Sequence, residues 1–468
     1  MTSPDRSKLL EEYLDVRLGD SRLDDRLLRL LEQMGPRPGD SFPEQMDSDA
    51  DQEALYRFLK NPRVTVDGLL VGHLAQTVSR VSKHSVVRIL HDTSDFVFKG
   101  EREGLDTFQG EVKGFSGHVA LVVAGDESRE ALGVLGLHPF LLKNDMKGMT
   151  EKEKSKKHRE TPRKEKKSSR WETQAIETSQ YIPSDVHAIH VMDQEADDYS
   201  VFSALSAASL RFVIRVEPKR MTAEKLNVRD VLAAQPAVFF REVEISSRSK
   251  AQATKPHPQR KTRVAQLSVR TSAIMLTKTS MAHEAALDSV SLNAVYVFEP
   301  SPPEGQAPIE WMLVTSEPVE TAAQIEAVVD HYRARWVIEE YFKALKTGCA
   351  FEKRQLCSFE GLVRALALFV PMAWTLLALR TLGRDPTPRP ATHIFSHEQL
   401  RTLRAVLANR RYKFPANPTA RDAMLGIAAL GGHIKNNGDP GWQVLGRGLH
   451  RFFEFEEGWN LRARCDQS

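Results

Sequence analysis

Cysteine is scarce. The 468 residues hold three, Cys349, Cys357 and Cys465, and their spacing makes neither a metal-binding pair nor a disulfide framework. A disulfide-stapled secreted scaffold and a cysteine-built zinc module are excluded, and a reducing, cytoplasmic setting is expected. No apolar segment opens the chain. MTSPDRSKLLEEYLD is charged and has no hydrophobic core, so no signal peptide is expected. The longest hydrophobic run, Ala365 to Leu379, falls short of the roughly 20 residues that span a bilayer, and Pro371 interrupts it. It reads as one or two buried core helices, and no membrane is expected among the partners. There is no internal repeat.

The rest is ordinary globular composition, 41% hydrophobic and 27% charged, with length enough for two to four domains. The net charge of +3 decides little, but its distribution is uneven. From Lys143 to Arg170 there are twelve Lys/Arg against five Asp/Glu, an excess of seven. A second basic cluster, Arg248 to Arg270, includes Lys250, Lys255, Arg260, Lys261 and Arg263. Such stripes suit phosphate backbones. Taken singly, each is equally a charged loop that binds nothing.

Residues 1–65 read as small helices, with Leu18, Leu23, Leu27 and Leu31 set against Arg22, Arg26 and Arg29. Arginines on one side of short helices can seat a DNA backbone, although a plain helical bundle has the same pattern. A strand ends in Asp92 (SVVRILHD), two more strands follow from Gly117 to Phe140, and the Lys-rich stretch to Arg170 reads as a mobile loop. After a helix from Trp171, VHAIHVMD is a buried strand ending in Asp193, and RFVIRV is another. Short β runs from about 219 to 315 read as a β-rich insertion. Beyond them the chain is mostly helical, and a Pro-rich break at 385–390 sets off a helical C-terminal module. The fold expected is α/β.

Thr321 to Gly348 organises the rest. Thr321 with Gln324 makes a capping-box start, Gly348 a stop, and no Pro or Gly lies between them, so one long helix is expected. Tyr332, Arg335, Glu339, Lys343 and Lys346 follow steps of three and four and share one face. A solvated amphipathic helix with an Arg335–Glu339 pair is the plain alternative. Asp92 and Asp193 at strand ends sit where catalytic groups find rigid support, though structural turns use Asp there too. Glu339 brought to the same rim would make three mutually repelling carboxylates that need a cation. Hard oxygen ligands suit Mg²⁺, and two such ions about 4 Å apart can serve both the attacking and the leaving oxygen on phosphorus.

The tetrad Tyr332, Arg335, Glu339 and Lys346, within YRARWVIEEYFKALKTG, resembles the Tyr–Arg–Glu–Lys signature of bacterial cut-and-paste transposases of the insertion-sequence-four class. LGDSR, YRFLKNP, HDTS, MDQEAD, RFVIR, IEWMLVTSEPVE and ALGGHI extend the likeness, in order, over nearly the whole chain.

The resemblance implies a ribonuclease-H-like core (66–382, with the insertion at about 219–315) between a helical end-binding domain (1–65) and a helical dimerisation domain (383–468). It implies Asp92, Asp193 and Glu339 as a catalytic triad holding two Mg²⁺, for which Mn²⁺ can substitute. Tyr332, Arg335 and Lys346 would hold phosphates near the scissile bond, with Lys343 joining them. Trp311 would stack on a flipped base and Arg215 would steady the distorted end; a core tryptophan in a strand is the alternative for Trp311. Arg22, Arg26 and Arg57 would contact the transposon end. The partners implied are double-stranded DNA, both transposon ends and target, and a second copy in the DNA complex, in the cytoplasm at the nucleoid. The chain departs from the pattern in its Lys-rich 142–180 region and in His91, where an acidic residue is expected. Two other functions fit parts of the pattern: a Mg²⁺ nuclease of the same fold, and a DNA-binding regulator without catalysis.

Overall fold

The β-branched run from Val86 extends well beyond its apolar part. β1 spans Val86–Phe98, so Asp92 lies mid-strand rather than at a strand end as expected. The backbone ladder is the reason. β3 (Lys113–Ala124) pairs antiparallel with β1 along almost its whole length, from Val87 opposite Ala124 to Phe98 opposite Lys113, regardless of side-chain polarity. On its other side β1 pairs in parallel with β5 (His187–Met192) only as far as Leu90 opposite Val191. Asp92 therefore sits where one of its two neighbours stops. Continued by two residues, that register sets Asp92 beside Asp193.

The computed structural model describes residues 8–14, 16–100, 102–108, 112–141, 149–245, 259, 261–280, 282–434 and 438–465. Its core is one ten-stranded mixed sheet. β2 (Asp106–Thr107) and β4 (Ala131–Phe140) pair with β3 along its edge away from β1. Beyond β5 come β6 (Arg211–Arg215), parallel to it, then β10 (Glu310–Thr315), β9 (Ser289–Phe298), β8 (Arg263–Thr277) and β7 (Phe239–Ile245), each antiparallel to the one before. The strands of the expected insertion widen the central sheet through the pairing of β10 with β6.

Side chains alternate between the two faces of a strand, and this sorts the core. Leu90, Ile189, Val191, Val213 and Leu313 join Ile325, Val328 and Val329 of the helix Ala322–Ala334 in one cluster. Met192, Phe212, Ile214 and Val314 point the other way, toward the helices Ser169–Ser179 and Tyr199–Ala207. Arg88, Asp92, Asp193, Arg215 and Trp311 are each an even number of residues from a member of the first set, so they face the helix that carries Tyr332 and Arg335.

That helix is interrupted. The capping box of Thr321 and Gln324 forms as expected, but the ladder breaks at Arg335. There the Arg335 N–H donates to Tyr332 O and the Ile338 N–H to Arg335 O, both three residues back. Helix resumes over Trp336–Lys343 and widens into a π turn over Ala344–Gly348. Alternative ladders of this kind kink a helix without Pro or Gly, so a scan for breaker residues passes over them.

The Lys-rich stretch was expected to be a mobile loop. From Thr150 it is instead helical (Glu151–Glu160), with Thr150 and Glu153 forming a capping box; its first part, 142–148, lies outside the described residues, as do Arg248, Lys250, Lys255 and Arg260 of the second basic cluster. Arg263 of that cluster is paired with Glu299.

The apolar run becomes one 26-residue helix, Phe359–Arg384, with Pro371 inside it. It is mostly buried. The Tyr13 hydroxyl donates to Leu368 O of this helix at 2.6 Å. The first sixty residues are bound to this helix and the turn before it. Arg364 donates to Leu59 O (2.9 Å) and Val64 O (2.7 Å), and the buried Arg354 donates to Pro38 O (2.9 Å), Asp40 O and Cys349 O (2.7 Å). Helices His397–Asn409, Ala420–Leu430 and Trp442–Cys465 close the chain.

Candidate active site

Arg335 is the centre of the site. Its Nη1 lies 3.0 Å from Asp92 Oδ2 and its Nη2 2.7 Å from Glu339 Oε1, with only 15% of the side chain exposed. Asp193 completes the group. Its carboxylate caps the turn Gln194–Ala196, accepting from the Glu195 N–H at 2.8 Å, and its charge acts on Asp92, Tyr332 and Arg335. Burial pushes the Asp92 carboxyl up to about 7. The Arg335 cation and the Thr93 N–H oppose that shift, and the Asp193 and Glu339 charges add to it. For Arg335, burial disfavours the charge, but Tyr332, Asp92, Glu339 and Asp193 together raise its pKa above the usual arginine value. The guanidinium stays ionised among three carboxylates.

Tyr332 is 6% exposed, and its ring lies 5.8 Å from that of Trp311. Arg215 hydrogen-bonds the Tyr332 phenol and reaches Glu310 O at 3.4 Å. Lys346 arrives from the π turn, donating to Asp95 O at 2.5 Å and lying 3.6 Å from Glu352. Asp92, Asp193, Glu339, Tyr332, Arg335, Arg215 and Trp311 thus gather on one face of the sheet, and Lys346 lies further along β1, at Asp95 and Phe96. Lys343 does not join them. It donates to Glu340 at 2.8 Å, a carboxylate also held by Arg380, and lies over the Trp336 ring. Lys343 keeps regular helical spacing from Glu339, so it is the pairing with Glu340 that turns its ammonium aside. Arg22, Arg26 and Arg57 stand apart from this site. They line one cavity of about 180 Å³ between the helices Ser21–Met34 and Asp49–Lys60, together with Phe58 and Asn61.

Sequence reasoning missed Arg170. It donates to Thr93 Oγ1 (3.0 Å) and Glu195 (2.5 Å), and it feels the charges of Asp193 and Asp92. Its position at the end of a lysine-rich stretch hid it. Also missed was a seam of buried histidines on the opposite face of the sheet, behind Asp92. His91 Nε2 is 2.9 Å from His190 Nδ1, and His118 stacks on His91 and contacts Thr93 Oγ1 at 2.9 Å. The alternation of His91 with Asp92 and of His190 with Val191 carried that signal.

The seam has a consequence for stability. Burial pushes His91 down to about 4, and His118 and His190 well down. Burial also takes His331, which accepts from Arg88 at 2.9 Å, to about 4. An unfolded chain protonates these imidazoles near pH 6.5 and the folded one does not, so stability falls with pH below 6.5. Between pH 7 and 5, His91 and His331 each cost about 2 kcal/mol, and the raised Asp92 returns about 2 kcal/mol with the opposite sign. With His118 and His190 added, the histidines win. The melting temperature should fall on going from pH 7 to 5, and fall further in Asp92→Asn; a melting temperature that held level would contradict the neutral seam.

Comparison with known families gives two matches. A transposase DNA-binding model covers residues 6–64, and a transposase DDE domain model covers residues 140–375, half of the chain. The chain belongs to the DDE transposase family. Among solved structures, it aligns with the piggyBac transposase synaptic complex with hairpin DNA at 8% identity and a TM-score of 0.35, over 78% of this chain and 66% of that one. A likeness of that degree sets no residue correspondence. The arginine-lined cavity falls within the DNA-binding match, and Asp193 and Glu339 fall within the DDE match.

Domains of this family generally use divalent metals. Among the described residues, no group of three or more His, Cys, Asp and Glu side chains is gathered closely enough to hold an ion. The donor chemistry nevertheless fits. Asp193 and Glu339, both near enough for their charges to act on Asp92, make with it a set of hard oxygen ligands of the kind Mg²⁺ takes. What separates two of them is the Arg335 guanidinium.

Proposed function

We propose that this DDE transposase is a cut-and-paste enzyme of the insertion-sequence-four class, nearest the Tn-five type. Its core would be ribonuclease-H-like, running over residues 66–382 between an end-binding domain (1–65) and a dimerisation domain (383–468). The observation that carries the reading is the convergence of Asp92, Asp193 and Glu339 with Arg335 and Tyr332 on one sheet face of a chain with this family's domains.

Asp92, Asp193 and Glu339 would hold Mg²⁺, two ions with Mn²⁺ able to substitute, which would supply activation of the attacking oxygen and stabilisation of the leaving one. Arg335, with its fork of donors, and Lys346, as a point charge, would fix the phosphates beside the scissile bond. The half-buried Trp311 would take the face of a flipped base, with Tyr332 behind it and Arg215 against the distorted backbone. Hydrolysis at the transposon end, closure of a hairpin, its opening, and joining to target DNA are all in-line attacks of oxygen on phosphorus, so one site serves all four. Two copies would pair two ends, in the cytoplasm at the nucleoid.

The test uses DNA carrying the terminal inverted sequences that flank the gene, on a denaturing gel with and without Mg²⁺. Mg²⁺-dependent nicks at the ends together with hairpin-sized products are expected. Cleavage indifferent to end sequence, undiminished in Trp311→Ala, would point to a nuclease. Binding without cleavage would point to a regulator.

End binding gives its own prediction. Arg22→Ala and Arg57→Ala should each weaken end binding and lower the salt dependence by about one counterion. Both side chains are well exposed and held only by surface ion pairs, Arg22 to Asp20 and Arg57 to Glu53, so stability should hardly change. An unchanged salt slope would remove them from the interface.

A further inference from the structure

We propose that in the DNA-free protein Arg335 occupies the place of the catalytic cation, so that metal loading waits for a DNA phosphate to draw the guanidinium away. The inference rests on the proposed reading of the triad.

Two observations carry it. The guanidinium donates to Asp92 and to Glu339, the members that β1 and the helix contribute, and so fills the space between two carboxylates that must share an ion. With it there, Asp92 and Glu339 each give an oxygen to the guanidinium rather than to an ion. Arg335 also sits at the break in the helix, with three-residue backbone bonds before and after it. A side chain at such a junction can be re-aimed by a small change in the ladder, without unwinding either helix.

The physical exchange is balanced. An arginine fork grips a phosphate at least as well as a carboxylate pair, through parallel charge-assisted bonds. Once the fork moves to phosphate, Asp92 and Glu339 regain free lone pairs and full mutual repulsion, which a divalent ion relieves. DNA and metal then favour each other's binding, and by linkage the effect is reciprocal. The arrangement also limits metal-dependent cutting by protein that holds no DNA in register.

The test is equilibrium binding of Mn²⁺ to the full chain, followed by the electron-paramagnetic signal of free Mn²⁺, with and without a duplex carrying the terminal inverted sequence. DNA-free Arg335→Gln should bind Mn²⁺ about tenfold tighter than the parent. The duplex should tighten Mn²⁺ binding to the parent by a similar factor and to Arg335→Gln hardly at all. Equal or weaker Mn²⁺ binding by DNA-free Arg335→Gln would overturn the proposal, as would a duplex that tightens both proteins alike. If Arg335→Gln does not fold, Arg335→Lys takes its place. Lacking the fork, it can hold one carboxylate at a time, and the same change at smaller size is expected; no change would overturn the proposal. Glu339→Gln separates the two levels. If it binds Mn²⁺ with duplex as well as the parent does, the triad reading itself fails; if it loses Mn²⁺ while Arg335→Gln gains nothing, only the present inference fails.

Discussion

Glu339→Gln should bind transposon-end DNA about as tightly as the parent and cut it at least about a thousandfold more slowly. The amide keeps the size of the side chain and an oxygen that can still accept from Arg335, so the 2.7 Å contact need not be lost. What goes is one negative charge from a set of three. A metal ion's contribution to such chemistry is several kcal/mol, and each 1.36 kcal/mol is tenfold in rate. Weakening one of three ligands therefore costs about three orders of magnitude or more. DNA binding should survive because the arginine-lined cavity lies in a separate part of the chain. Asp92→Asn should behave in the same way. The measurement is single-turnover cleavage beside a gel-shift titration. A variant that cuts within tenfold of the parent and still requires Mg²⁺ would remove Glu339 from the metal site.

The second large effect concerns the fold. Arg354→Met should destabilise the protein by about 4 kcal/mol. Arg354 is 2% exposed and stacks on Phe42 and Phe369, with its guanidinium carbon 5.2 and 4.6 Å from the two ring centres. Burial lowers its pKa to about 10, which still leaves it charged at neutral pH. Methionine can replace the packing but not the donors. The carbonyls of Pro38, Asp40 and Cys349 would then be left without this partner, at roughly 1–3 kcal/mol each where they stay dry. Guanidinium denaturation reads the loss, and protease cleavage within the first sixty residues should appear well before global unfolding. A loss below about 1 kcal/mol would mean that water reaches those carbonyls.

The parts legible in the sequence were those with local causes. The capping box at Thr321, the buried strands around Ile89 and Val191, and the apolar helix through Pro371 each follow from nearby residues. The even spacing that puts Asp92, Asp193, Arg215 and Trp311 on one face was latent in the strand alternation, but it became a site only once the order of strands was known. Three features had non-local causes. β1 runs past Asp92 because β3 carries it. The β runs between 219 and 315 join the central sheet because β10 pairs with β6. The helix breaks at Arg335, whose side chain is held by partners 243 residues back and four ahead. Lys343 shares an unbroken helix with Glu339, and it is the Glu340 carboxylate beside it that draws its ammonium away, a choice of partner that spacing alone does not decide. Arg354 gave no sign at all, because its hydrogen-bond partners are backbone carbonyls, two of them more than 300 residues earlier, and carbonyls leave no mark in a sequence.

That separation has a consequence for how the chain is made. The carbonyls of Pro38, Asp40, Leu59 and Val64 meet their donors only when Arg354 and Arg364 have been synthesised, some 300 residues later. At about 5–20 residues per second on the ribosome, that is a wait of roughly 15–60 s. This segment thus emerges well before it is fastened, and it spends the interval carrying an arginine-lined notch without those donors, in a cell full of nucleic acid.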